Sequence, residues 1–330
     1  MAVTAHLINK RSTVAFLDRI CYGVQTDITG VERRFVPCEQ VRLLSTSLFS
    51  LPAYGSELLT IATENMMPRE FSTIELTLDS QVATIWLNRP ENGNGINLQM
   101  MTEFKTVVFD LEANPDIRVV VLRGRGRHFS VGGDMAMFTE AGDTIARAIA
   151  DVITNFHDAL LSLRRSAATS IAVVHGACAG GALSLALACD FVVADDNAKF
   201  AAAYRKLGAS ADGGMTHALT RVLGQRRALE LLLLSETFTA ADAFQMGLIN
   251  RLASSADLET EVSRMVDVLR GNAPASVRAL KGLAYQAPTT SFDQQLSSEL
   301  AAFAQCAGTA DFREGVNAFT ERRQPVFKGA

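Results

Sequence analysis

Between Ile171 and Ala194 the chain is almost continuously apolar, yet Gly176, Gly180 and Gly181 divide the run and His175, Ser184 and Asp190 interrupt it. About 20 apolar residues can span a bilayer, but glycines at these places punctuate a strand, a turn and a helix instead. The run therefore predicts buried core, with a strand over 171–174, a helix from about Gly181 and a further strand over 191–193.

The same alternation is readable upstream. Residues 74–78 and 82–87 alternate with period two around the turn signal Asp79-Ser80, which predicts a hairpin. Asn97 can cap a helix whose apolar residues Leu98, Met101, Phe104, Val108 and Leu111 recur every three or four positions. A short buried strand is expected at 119–122 and a helix over 145–163. Strands that alternate with helices imply an α/β layered core. From about Thr239 the pattern turns mainly helical, with helices expected over 240–246, 258–269 and 292–307.

Composition sets outer limits. The 330 residues are 48% hydrophobic and 20% charged with 23 glycines, which fits an α/β protein with a large core. Lys+Arg 31 against Asp+Glu 35 leaves a net charge of −4, so no basic excess exists to neutralise a nucleic-acid backbone or an anionic membrane. Cys21, Cys38, Cys178, Cys189 and Cys306 are scattered, without a C-x-x-C pair or a histidine at metal-ligand spacing. They imply a reducing cytoplasm and no metal site. Residues 1–66 lack hydrophobic periodicity and the apolar segment of a secretory signal. They read as a poorly defined extension, with a flexible arm, a weak targeting segment and an upstream choice of start all open.

Two glycine loops carry the candidate chemistry. Arg127-His128-Phe129-Ser130-Val131-Gly132-Gly133-Asp134 follows a strand, and its glycines permit a backbone in which an amide N–H faces a ligand. In Val174-His175-Gly176-Ala177-Cys178-Ala179-Gly180-Gly181 a buried strand leads into a helix whose first N–H groups lack intrahelical partners and attract an oxyanion. Either loop alone is equally consistent with close packing. The spacing G-x-x-x-G-G is not a dinucleotide fingerprint, and G-x-S-x-G is absent.

In order, Leu87-Asn88-Arg89-Pro90-Glu91 with Asn94 to Asn97, then Phe129 to Asp134, His175 to Asp190, Tyr204-Arg205-Lys206-Leu207-Gly208, Asp212-Gly213-Gly214, Ala243 to Leu248 and Glu314 to Phe319 resemble the crotonase (enoyl-CoA hydratase/isomerase) family. The resemblance runs from about Phe71 to Lys328. It implies a crotonase (Clp protease-like) spiral of ββα units over 67–255 holding the acyl-CoA site. It also implies a C-terminal helical region over 256–330 that makes homotrimers or dimers of trimers. The substrate implied is a coenzyme A thioester, with no further cofactor, and a thioester on a carrier protein stays open. The backbone N–H groups of Gly133 and Gly181 are the implied oxyanion hole.

Family hydratases place two glutamates at positions that here hold Ser184 and Tyr204, whose hydroxyls are poor bases near neutral pH. The remaining carboxylate is Asp212, at a place where isomerases similar to dienoyl-CoA and epoxyphenylacetyl-CoA isomerases carry an aspartate. Asp212 is thus the expected proton shuttle, with Tyr204 beside it, in an enoyl-CoA isomerase of a double bond or a ring. A helix-capping aspartate is the plain alternative. Hydratase, lyase, hydrolase and dehalogenase-like chemistries, and a non-catalytic acyl-CoA binder, remain as rivals. Val131, Asp134 and Ser184 are expected to line the substrate, and Arg89 and Lys328 to approach CoA phosphates. His175 is expected to be a buried structural residue, and His128 to hold the first loop.

Overall fold

The hairpin expected at the start of the core is β1 (Ile74–Asp79) and β2 (Val82–Leu87), paired antiparallel with Asp79 opposite Val82. It forms the edge of the main sheet in a computed structural model that describes residues 70–234 and 237–330. The expectation for residues 1–66 lies outside the described residues. Beyond β2 the sheet continues in parallel through β3 (Val119–Gly124), β4 (Thr169–Val174), β6 (Phe191–Asp195) and β9 (Arg251–Ala253), in the order β1-β2-β3-β4-β6-β9. A smaller sheet joins β5 (Ala177–Ala179), β7 (Lys199–Ala201) and β8 (Phe238–Thr239).

Alternation along the strands assigns the two faces of the main sheet. Val119, Val121, Ile171, Val173 and Val193 face α8 (Leu258–Arg270) through Leu258 and Val262. The intervening Val120, Leu122, Ala172, Val174 and Val192 enter the larger cluster. That cluster is covered by α1 (Leu98–Ala113), α3 (Ile145–Arg165) and α4 (Gly181–Ala188), with Phe104, Phe129 and Leu183 fully buried in it. Parallel strands buried on both faces read as continuous apolar runs, which explains the unbroken hydrophobicity of β4 and β6.

Local chemistry sets the boundaries of α1. The Asn97 side chain accepts the Met100 N–H at 2.9 Å, which satisfies one of the unpaired donors at the helix start. Between β3 and α3 the chain forms a further short helix, α2 (Met135–Glu140), capped by Asp134. Sequence periodicity did not announce it. After β7 come a 3-10 turn (Tyr204–Leu207), α5 (Met215–Leu223), α6 (Gln225–Leu233) and α7 (Ala240–Gln245). Three helices close the chain: α9 (Pro274–Gln286), α10 (Phe292–Ala307) and α11 (Ala310–Glu321).

Polar contacts tie these last helices to the core. Lys281 on α9 pairs with Asp190 at 2.8 Å, and both side chains are nearly buried. The Arg118 guanidinium donates to the carbonyls of Arg270, Asn272 and Phe327. Buried Asp311 accepts the Lys328 and Gly329 N–H groups, which pins the C-terminal strand of coil. Among the described residues no helix is long and apolar enough to cross a membrane.

Candidate active site

The two glycine loops run side by side. Ser130 bridges Cys178 in parallel, with the Ser130 N–H donating to Ala177 O at 3.1 Å and the Ala179 N–H to Ser130 O at 3.2 Å. Glycine permits their contact two residues further on. A Cβ on Gly132, whose φ is +97°, would lie 2.6 Å from Ala179 O and 3.6 Å from Gly180 Cα. Gly176, at φ +58°, plays the same part where β4 gives way to β5, since a Cβ there would sit 2.0 Å from Arg127 O.

Each loop ends on an amide free of backbone pairing. Gly133 bridges Ile96 in parallel through the Ile96 N–H to Gly132 O and the Asp134 N–H to Ile96 O. In such a bridge the residue between the two bonds turns its own N–H away from the partner strand. Gly181 opens α4, where the first N–H groups have no intrahelical acceptor. Ile96 connects the two, because its Cδ1 lies 3.4 Å from the Cβ position of Gly181. Two preorganised amides of this kind can hold a developing oxyanion, and loss of one typically costs about 3 kcal/mol.

Buried hydrogen bonds brace the first loop. Asn94, fully buried at φ +54°, sets its amide nitrogen within hydrogen-bond distance of the carbonyls of Arg125, His128 and Phe129. Ser130 donates to Asn94 O at 2.7 Å. Arg89 donates to Gly95 O at 2.6 Å and pairs with Asp134 at 2.7 Å. Both members of that pair are largely buried, and the Asp134 carboxylate also accepts the Ala136 N–H as the cap of α2. Arg89, expected near CoA phosphates, is therefore committed to the loop that carries Gly133. Val131 is exposed beside Gly93, and Lys328 sits in the C-terminal coil.

Around Gly181 the structure gathers Asp212, Tyr204 and Ser184. Asp212 Oδ1 lies 3.9 Å from the Cβ position of Gly181 and accepts a 2.6 Å hydrogen bond from the Tyr204 hydroxyl. Ser184 donates to Asp212 O at 2.9 Å and its hydroxyl is 3.2 Å from that of Tyr204. The Asp212 side chain caps nothing, because α5 begins after Gly214 without a side-chain cap. Tyr204 is aimed by Ala203, which holds φ +66° and lets the Tyr204 N–H reach Ala202 O at 2.9 Å. A left-handed conformation at a residue other than glycine costs of order 1 kcal/mol and is typical of functional sites.

Burial raises the Asp212 pKa above the ordinary carboxylate value, and the Tyr204 hydrogen bond and His157 pull it partly back. Burial and the Asp212 charge push the Tyr204 phenol well up, so it stays a donor at neutral pH. The result is a carboxylate more basic than usual, held on one oxygen and with the other able to accept a proton.

His157 was not legible as a site residue. It lies on α3 and its Nε2 accepts the Gly213 N–H at 3.2 Å, directly after Asp212. Fifty-six positions separate His157 from Gly213, and helical periodicity marks His157 only as a residue near the rim of the apolar face. His128 does hold its loop, since its Nδ1 accepts the Ala177 N–H at 3.1 Å. His175 is partly exposed rather than buried, and Nε2 meets Gly126 O at 2.9 Å. Cys178 and Cys189 are buried free thiols, and burial pushes the Cys189 thiol up to about 12, which leaves it unreactive.

Residues 77–330 match the family model described as Enoyl-CoA hydratase/isomerase. The chain is 31% identical to the trans-2-decenoyl-[acyl-carrier-protein] isomerase of Streptococcus mutans over 79% of its own length and 99% of that protein. It is 29% identical to the crotonyl-CoA hydratase of Syntrophomonas wolfei, over 78% of this chain and 98% of that one. Among solved structures, an enoyl-CoA hydratase from Polaromonas sp. JS666 superposes with a TM-score of 0.74 at 33% identity, covering 78% of this chain and all of the other.

Proposed function

Because this chain belongs to the enoyl-CoA hydratase/isomerase family, we propose that it isomerises an unsaturated acyl thioester, with Asp212 moving the proton and the Gly133 and Gly181 amides holding the thioester oxygen. One observation carries this reading: Asp212 is the carboxylate beside the Gly181 amide, and among the described residues no salt bridge neutralises it, whereas Asp134 is paired with Arg89.

The steps follow from the geometry. Asp212 takes a proton from the substrate carbon chain, and the electron pair moves through the conjugated system to the thioester oxygen. The two amides stabilise that charge more strongly than they stabilise the neutral carbonyl. Protonated Asp212 then returns the proton to a different carbon, so the double bond shifts and no atom is gained or lost. Tyr204 keeps one Asp212 oxygen occupied and directs the other at the substrate. Ser184 holds the backbone that carries Asp212. No second carboxylate is required, which suits a site with serine and tyrosine at the two glutamate positions of hydratases.

The acyl carrier is coenzyme A or a carrier protein, as the names of the two relatives suggest in turn. Self-association belongs to the same reading, through the apolar faces of α9, α10 and α11. The hydratase names among the relatives favour a second reading, in which Asp212 activates water for addition to the double bond.

Incubation of full-length protein with trans-2-decenoyl-CoA and with cis-3-decenoyl-CoA separates the two. Isomerisation leaves product mass unchanged in ordinary water, and in heavy water it adds deuterium at carbon only to the extent that protonated Asp212 exchanges with solvent before it returns the proton. A product heavier by one water would overturn the isomerase assignment.

A further inference from the structure

A cavity of about 460 Å³ opens among α3, α4, α5 and α9, with Ser184 and Gly213 in its wall. Its apolar side is formed by residues such as Leu160 and Leu187, and its titratable groups are His157, Arg164, His217, Arg221 and the Tyr285 phenol, which donates to Asp190. No aspartate or glutamate lines it. Arg164 and Arg221 are both partly buried, yet their nearest recorded partners are a tyrosine ring and an imidazole. The Arg164 guanidinium lies 4.0 Å from the Tyr285 ring centroid, and Arg221 Nη1 is 3.4 Å from His217 Nε2.

This differs from the other partly buried arginines of the core. Arg89 is answered by Asp134, Arg123 by Glu259 and Arg125 by Glu75, while Arg118 is answered by three backbone carbonyls. At Arg164 and Arg221 no carboxylate stands within salt-bridge distance among the described residues. Desolvating a guanidinium is costly unless an anion compensates it. Burial first, and then the Arg221 and Arg164 charges, hold the His217 imidazole below its ordinary range.

We propose that this cavity binds a small organic anion, with its carboxylate or phosphate group between Arg164 and Arg221 and its carbon skeleton against Leu160 and Leu187. A planar guanidinium fork suits either group. Two sources present the same chemistry: a free carboxylate or phosphate compound, and the far end of an acyl thioester that terminates in a carboxylate. The free-anion source is independent of the isomerase reading, whereas the acyl-end source rests on it, since Ser184 and Gly213 in the cavity wall adjoin Asp212.

The test is calorimetric titration of the full chain with glutarate and with inorganic phosphate, in wild type, D212N, R164Q/R221Q and R164K/R221K. Turnover is measured beside it on two enoyl-CoA esters of equal length, one ending in a carboxylate and one in a methyl group. Saturable binding of either free anion is expected in wild type and D212N, weakened about tenfold or more in R164Q/R221Q and less in R164K/R221K. That pattern identifies the free anion as the source. A KM raised about tenfold in R164Q/R221Q for the carboxylate-ended ester alone identifies the acyl end instead. Absence of both effects overturns the proposal, as does a change of oligomeric state in R164Q/R221Q with no anion bound by wild type. Thermal melts of R164Q/R221Q and R164K/R221K that match wild type show that any loss is not a failure to fold.

Discussion

Around Asp212 the neighbouring polar side chains are answered by others from the same chain, whereas the C-terminal helices turn large apolar side chains to the outside. Tyr204, Ser184 and His157 engage Asp212 or the backbone beside it, and Asn94, Arg89 and Ser130 close off the carbonyls of the first loop. On α10 and α11, by contrast, Phe303 is 67% exposed and Phe319 87%, and Leu300 and Val316 lie open with them. Contiguous apolar surface of this kind marks a contact site. On the proposed reading the chemistry is assembled within one chain, while the exposed apolar surface of the C-terminal layer is left for another surface to cover.

The largest effect that would break this division is at Asp212. D212N is expected to lower kcat by about a thousandfold or more while thioester binding persists, since general-base contributions typically reach 10²–10⁴-fold. The same variant should be more stable than wild type at neutral pH. Burial raises the Asp212 pKa in the folded chain, so the carboxylate's stabilising contribution is full below its unfolded value and is lost as pH rises through the higher folded value. Asparagine removes that loss, and the gain in Tm should shrink on acidification. Equal melting temperatures across pH would contradict the burial argument.

Next in size is G132A, which forces a Cβ against Ala179 O at a left-handed backbone position. It should cost about 2–3 kcal/mol in stability and about a hundredfold in kcat, through the displaced Gly133 amide. Wild-type turnover in a fully folded G132A would show that the two loops need not meet.

Paired substitution of Leu300 and Phe303 by glutamate tests the other region. It should shift the protein to smaller species in analytical ultracentrifugation and leave the circular dichroism of the core unchanged. A sedimentation profile identical to wild type would mean that these faces are not used between copies.

Smaller effects sharpen the picture of Asp212 itself. Y204F removes the hydrogen bond that lowers the Asp212 pKa, so the limb of the pH–rate profile that rises with deprotonation should move to higher pH. The accompanying fall in kcat should be about fivefold, the worth of one hydrogen bond of about 1 kcal/mol. H157L should move the same limb upward by less, since His157 is the last of the causes acting on Asp212. No movement in either variant would argue that Asp212 does not set the limb.

Much of the fold was legible because it rests on local patterns. The alternation in 74–87, the Asn97 cap and the strand-turn-helix signature ending at Gly181 each carry their meaning within a few residues. The pairing of Gly133 with Ile96, and of Arg89 with Asp134, does not, since each depends on segments brought together by the fold. The Arg89 ion pair with Asp134 is therefore not readable from sequence. His157 was hidden for the same reason: its partner is the Gly213 amide, a tertiary contact without a sequence signature. Helix α2 was missed because six residues are too few to establish a helical period.

A crystal structure of D212N with trans-2-decenoyl-CoA bound is the most direct measurement, because it shows where the thioester oxygen lies. It should sit about 3 Å from both the Gly133 and Gly181 nitrogens, with the residue 212 side chain facing the carbon chain. An oxygen turned toward solvent, or held by neither amide, would contradict the proposed chemistry.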